Sequence, residues 1–242
     1  MIYTIATQKG GTGKTTTAAA LAQAAAYKGK KALAVDLDPQ GNLSFALAAD
    51  ASRPGSYDLL HGAEAADVIQ HSPQGMDVIP ASLNLQTETS APGSARRLQK
   101  ALEPLKRKYS IIVIDTPATA GELQYNALQA ADRLIIPLIV DAYNLQSLYQ
   151  ITETAAQIKD SNPKLKIAGV LLTQYDGRTN VTRQLRDLLE DKLQALRIPF
   201  LGAVRKAIAV NEATALQESL FEYAPKSKPA LDYIQIFEAI TK

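Results

Sequence analysis

The sequence predicts a single doubly wound α/β domain, with helices covering both faces of a mostly parallel central sheet. Three observations carry this. Continuous apolar runs such as Ile111-Ile112-Val113-Ile114 and Leu134 to Val140 alternate with helical stretches, the pattern of strands buried on both faces. No repeat, low-complexity tract or linker divides the 242 residues, a length that suits one large domain. The first strand-like run also leads straight into a glycine-rich segment and then an alanine-rich helix.

Ile2 to Thr7 reads as the first strand. Lys14 to Tyr27, rich in alanine and free of proline and glycine, reads as a helix, and Lys31 to Asp36 as the second strand. Residues 50–95 hold short helical pieces and one strand, Met76 to Pro80, between the breakers Pro54, Gly55, Gly62, Pro73, Gly75, Pro92 and Gly93. Ala95 to Lys108 reads as helix and Ile111 to Asp115 as a buried strand. Gly121 to Ala131 is helix, Leu134 to Val140 strand, and Leu145 to Ser161 helix. Lys166 to Thr173 follows as strand, Asn180 to Leu196 as helix and Pro199 to Val204 as strand, and Pro229 to Ile240 is the last helix.

Composition removes several classes of function. There is no cysteine, which excludes disulfides and thiolate-held zinc or iron–sulfur centres. His61 and His71 are the only histidines and sit in a polar, Pro/Gly-punctuated region that reads as surface loop; two such residues offer too few ligands for a metal and no hydrolytic triad. No apolar run reaches the roughly 18 residues of a membrane span. Met1 leads directly into a strand with no signal-like segment, so a cytoplasmic protein is expected. Net charge is +2, with 13 basic and 14 acidic side chains in residues 1–158 and 13 basic and 10 acidic in residues 159–242. The C-terminal third is mildly basic, which permits nucleic-acid contact without demanding it.

The chemistry concentrates in a few segments. Gln8 to Thr15 reads Q-K-G-G-T-G-K-T, a variant of the phosphate-binding consensus G-x-x-x-x-G-K-[ST] with Gln8 in the first glycine position. Gly10, Gly11 and Gly13 allow backbone N–H groups to turn inward around phosphate oxygens, and Thr12 and Thr16 complete the cradle at a helix N-terminus that favours anions. Lys14 is expected to reach the β- and γ-phosphates of ATP or ADP, and the Thr15 hydroxyl to ligate Mg2+. Asp36-Leu37-Asp38-Pro39-Gln40-Gly41-Asn42 follows the second strand and brings two carboxylates to one side. Ile111 to Asp115 is an apolar strand ending in a carboxylate, the Walker B pattern of a magnesium-holding aspartate.

Taken together these segments resemble the ParA/MinD/Soj family, and the ParA/Soj partition ATPases most closely. The second lysine of K-G-G-T-G-K-T, Lys9, resembles that family's signature lysine, which implies a cation delivered to the phosphates of a dimer partner. D-L-D-P-Q-G-N resembles the family's switch I, which gives Asp38 the water-activating role and sets Asp36 near the magnesium. Thr116-Pro117-Ala118 resembles switch II with alanine in place of the second proline. Val170 to Asn180 resembles a later family segment that sets Thr173 near the adenine and Arg178 at a non-specific DNA contact, with Gln174 where methionine is common. Arg205 to Ala213 resembles the family's P-R-N-V-R-L-S-E-A: Lys206 takes the first arginine position, Ala209 the second, and Arg205 replaces the proline and could compensate.

The resemblance implies a slow Mg-dependent ATPase that forms a homodimer with ATP and binds DNA through Arg178, Arg205 and Lys206. A ParB-like or other cargo adaptor would reset it, and the expected location is the nucleoid-associated cytoplasm, with no membrane. No room is expected for an N-terminal helix-turn-helix domain before the loop at residue 8. An ATPase of the same chemistry that positions a non-DNA cargo is the alternative. The C-terminal stretch, with acidic Asp232 and Glu238, reads as a packing helix rather than a membrane-binding one.

Overall fold

Alternation along the central strands decides where each layer of the molecule sits. A computed structural model describes residues 1–88, 94–141 and 144–242; Pro92 and Gly93, expected as breakers, lie outside the described residues. The strands are β1 (Ile2–Ile5), β2 (Ala32–Asp36), β3 (Gln70–His71), β4 (Asp77–Ile79), β5 (Ile111–Asp115), β6 (Arg133–Ile139), β7 (Lys166–Tyr175) and β8 (Phe200–Arg205). They form one sheet in the order β3-β4-β2-β5-β1-β6-β7-β8, parallel except for the short antiparallel β3 at the edge.

The helices are α1 (Lys14–Tyr27), α2 (Asn42–Ala46), α3 (Ser56–Leu60), α4 (Ala65–Val68), α5 (Arg97–Leu102), α6 (Glu122–Ala130), α7 (Asn144–Ile158), α8 (Asn180–Ala195), α9 (Ile208–Ala215), α10 (Leu220–Tyr223) and α11 (Lys228–Ile240). Ala32, Ala34, Ile111 and Val113 face α1 and α11, whereas Leu33, Val35, Ile112 and Ile114 face α3, α5 and α6. That is the pleat of a strand covered on both sides. A third cluster packs β6 and β7 against α7 and α8 through Leu138, Leu172, Ile151 and Leu189.

Small side chains let α1 lie close on the sheet: Ala18, Ala20, Ala22, Ala24 and Ala25 are all buried. Helix α11 packs on β8 and against α1, burying Tyr233, Ile236 and Phe237, which fits the packing role read for it. Among the described residues no helix is long and apolar enough to cross a membrane.

Three local readings need correction. Residues 95–108 are not one helix. Only Arg97–Leu102 is α-helical, flanked by 3-10 turns, and Pro104 lies in the second turn, where it has no N–H for an α-helical bond. Ile208–Ala215 is a helix that the motif reading passed over. His71 belongs to the edge strand β3 rather than to a loop.

Candidate functional site

The carboxyl ends of β1, β2 and β5 lie side by side, with Ile5 and Asp36 both register partners of Asp115. Parallel sheets bind ligands at this edge. From β1 the chain turns through residues 6–13 into α1. Gly11 and Gly13 hold φ of 72° and 78°, left-handed backbone that a β-carbon resists. At Gly13 a β-carbon would also stand 3.2 Å from the Thr173 methyl. Gln8, in the consensus glycine position, donates its side-chain amide to Thr154 Oγ1 (2.8 Å) and Gln124 Oε1 (3.3 Å), which pins the loop between α6 and α7.

Lys14 is buried, and its Nζ donates to the Lys9 carbonyl at 3.1 Å. Burial pushes its pKa below the ordinary lysine value, while the Asp115 and Asp38 carboxylates push it back up. Lys9 is ion-paired within its own chain to Asp141. Thr12, at the loop's centre, is held through its carbonyl, which accepts from Thr173 Oγ1 at 2.7 Å.

The two strand-end aspartates differ in a way the sequence does not show. Both are fully buried. Asp36 is saturated: Oδ2 accepts from the Ser44 N–H (2.8 Å) and hydroxyl (2.7 Å), and Oδ1 from the Asp38 N–H (3.1 Å). Burial raises its pKa to about 6 against those hydrogen bonds, with repulsion from Asp38 adding to it. Asp115 accepts from the Thr116 N–H at 3.0 Å through Oδ1, but its Oδ2 has no partner. Burial, then repulsion from Asp36, holds its carboxyl well above the usual range, and the Thr15 hydroxyl and Lys14 pull it down.

Adjacent buried carboxylates with one bare oxygen are what a divalent cation relieves, and a hydroxyl stands beside it. The residues therefore fit magnesium, and Asp115 and Thr15 are the ones placed to hold it. Asp36, expected near the metal, stands beside Asp115 and also organises the following loop through Ser44, whose hydroxyl accepts from the Ala81 N–H at 2.9 Å. Ser44 braces the site through Asp36, and the motifs do not single it out. Asp38 is half-buried and receives the Gln40 N–H at 3.0 Å, facing the same lysine as Asp115.

A cavity of about 290 Å3 opens beside the loop, lined by Gly13, Thr16, Thr173, Gln174, Asn211 and Tyr233 among others. Its position suits the base of a nucleotide whose phosphates lie on the loop. Gln174 holds a left-handed φ of 52° and donates its amide to the Gly11 carbonyl at 3.1 Å, a second brace on the loop.

Arg205 and Lys206 also line this cavity. The Arg205 guanidinium grips Asp232 through two bonds, Nε to Oδ2 at 2.9 Å and Nη2 to Oδ1 at 2.6 Å. Arg178 is 88% exposed and makes the same fork with Asp176. The ends of β7 and β8 bring Arg178 and Lys206 to one edge: the Lys206 N–H bonds the Tyr175 carbonyl at 3.1 Å, and both cations act on Asp176.

A glycine-rich turn leading from β1 into α1, with a buried lysine beneath it and an open carboxylate across from it, makes this a P-loop nucleoside triphosphatase. A family model described as an AAA domain matches residues 1–167. The sporulation initiation inhibitor protein Soj of Bacillus subtilis is 35% identical over 252 residues, covering 99% of this chain and 97% of that protein. The chromosome-partitioning ATPase Soj of Thermus thermophilus is 34% identical over 242 residues, covering 98% and 93%. Cobyrinic acid a,c-diamide synthase from Mycobacterium smegmatis, solved with a bound ATP analog and magnesium, shares the fold with a TM-score of 0.84 over 98% of this chain and 92% of that one, at 29% identity. The chain belongs to the ParA/Soj family of P-loop ATPases.

Proposed function

We propose that this protein is an ATP-driven switch that segregates plasmid or chromosome cargo. With ATP and magnesium it dimerises and binds DNA without sequence preference; hydrolysis, slow alone and stimulated by a ParB-like partner, releases it. The observation that carries this reading is the pair of lysines in one phosphate loop. Lys14 is buried under the loop, while Lys9 at its mouth is tied to Asp141 within the chain. A lysine at that position can serve a second protomer's phosphates once it leaves Asp141.

Backbone N–H groups of Gly10 to Thr16 and the Lys14 ammonium receive the phosphates. Magnesium, held by Asp115 and Thr15, would neutralise phosphate charge there. Asp38 orients the attacking water and accepts its proton, and Lys9 stabilises the charge that develops across the dimer. Arg178 and Lys206 meet DNA phosphates, which recognises DNA by charge rather than by base.

A second reading keeps the same chemistry and replaces DNA by a protein cargo. It is favoured by one observation: the Arg205 guanidinium is engaged by Asp232 and position 209 is alanine, which thins the phosphate-binding edge. Binding of the Asp38→Ala protein to random-sequence duplex DNA at low salt, with ATP, with ADP and without nucleotide, separates the two. Binding with ATP alone supports the DNA switch. Binding in no state removes it and leaves the protein-cargo reading.

A further inference from the structure

Gln124 carries a feature that neither phosphate binding nor core packing requires. Among the described residues, four buried side-chain polar atoms lack a hydrogen-bond partner, and three of them, Thr7 Oγ1, Asp115 Oδ2 and Gln124 Nε2, lie on segments around the phosphate loop. Magnesium accounts for Asp115. Gln124 sits in the first turn of α6, fully buried, and its Oε1 accepts from Gln8 at 3.3 Å while its Nε2 meets no acceptor.

Gln124 also lines a cavity of about 280 Å3 together with Pro39, which follows Asp38, and with Pro117, Thr119 and Gly121, which follow Asp115. The cavity therefore lies between the two loops that carry the hydrolytic and metal-holding carboxylates. The N-terminus of α6, capped by Gly121 without a side-chain bond, opens beside it.

A buried donor without an acceptor disfavours the arrangement that contains it, and an arriving acceptor removes that cost. An anion such as released phosphate is the poorer fit, because two carboxylates line the cavity, Glu122 and the Arg97-paired Glu88. A neutral carbonyl fits, and the segment following Asp115 supplies carbonyls at the cavity.

We propose that Gln124 is a positioning residue for hydrolysis: anchored on Gln8 through its Oε1, it donates its Nε2 amide to a main-chain carbonyl of residues 116–121 when nucleotide is bound, and so fixes that segment at the site. The inference rests on the ATPase reading above. It gives the residue in the first consensus position a function, since Gln8 ties loop and segment together through Gln124.

The test compares wild type with Gln124→Met, Gln8→Met and the double variant, measuring ATP turnover, KM, melting temperature and amide hydrogen exchange of residues 116–121 with and without ATP. Methionine at 124 keeps the volume and removes the unpaired donor together with the long bond from Gln8, whose amide keeps Thr154, so the fold should be about as stable. The expected result for Gln124→Met is a kcat lower by about tenfold with KM within about twofold, an unchanged or raised melting temperature, and loss of the ATP-dependent slowing of exchange in 116–121. Gln8→Met should move kcat the same way by less, and the double variant should be no worse than Gln124→Met. An unchanged kcat overturns the proposal, and so does a kcat that falls together with rising KM and falling melting temperature, which marks a packing role. Wild-type protein that does not turn over ATP overturns the ATPase reading as well, which separates the two failures.

Discussion

The sheet's carboxyl edge carries two groups of charges built on opposite terms. At the ends of β1, β2 and β5 the charged groups are buried and crowded: Asp36 and Asp115 stand side by side, one Asp115 oxygen is bare, and Lys14 makes do with a carbonyl. At the ends of β7 and β8 they are exposed and already paired, Arg178 with Asp176 and Arg205 with Asp232. The first group holds unfavourable charge that a nucleotide and its metal relieve, so ligand binding there is strongly driven. The second must give up a partner for each phosphate it meets. Exposed ion pairs are worth little, so that exchange is cheap for Arg178. It is dearer for Arg205, whose release would leave Asp232, 9% exposed at its side chain, with only the Arg205 backbone N–H at 2.9 Å.

The strongest way to break the comparison is at the buried end. Lys14→Ala removes the one cation beneath the phosphates and should weaken ATP binding by about 100-fold or more, as read by titration of a fluorescent ATP analogue. Retained tight binding would sink the loop assignment. Asp38→Ala should leave ATP affinity nearly intact and slow turnover by roughly 100-fold or more, the scale of a lost general base. Normal turnover in that variant would take Asp38 out of the mechanism. Arg205→Ala tests the paired end: it should lower stability by about 1–3 kcal/mol, because it leaves a buried carboxylate with a single backbone N–H, and change DNA affinity little. A large loss of DNA affinity at unchanged melting temperature would make Arg205 a phosphate contact after all.

This division also explains what the sequence makes legible. The phosphate loop, Asp38 and Asp115 follow from short motifs whose geometry is set by the adjoining strand and helix, so reading the chain locally is enough to find them. The central strands are legible for the same reason, as apolar runs, whereas the two-residue edge strand β3, Gln70–His71, carries no such signal. Partnerships across the fold are not. Asp232 lies 27 residues from Arg205 and reads only as an acidic residue on a packing helix. Gln8 meets Gln124 at a separation of 116 residues. Ser44 gives no signal beyond its place after D-P-Q-G-N, yet it takes two of the three hydrogen bonds that saturate Asp36. Helix α9 escapes because it is short and buries only Ala213, which leaves no apolar period to read.

The smaller effects lie at the exposed edge and sharpen the same contrast. Arg178→Glu should weaken DNA binding alike for all sequences and lower the slope of log affinity against log salt by about one. An unchanged slope would move the DNA surface elsewhere.

Asp176→Asn gives the smallest change and the opposite sign, since it frees Arg178 from its fork and should raise DNA affinity by roughly two- to threefold at low salt. Its pH behaviour follows from the pair. The Arg178 hydrogen bonds hold the Asp176 carboxyl down to about 2. A depressed carboxylate contributes above its unfolded value, near 4, and that contribution is lost only as pH falls through about 2. Between pH 5 and 8 Asp176 is thus fully ionised, so the ratio of variant to wild-type affinity should be the same at pH 6 and pH 8. A ratio that grows at one end of that range would show that a different group, not Asp176, holds Arg178 away from DNA.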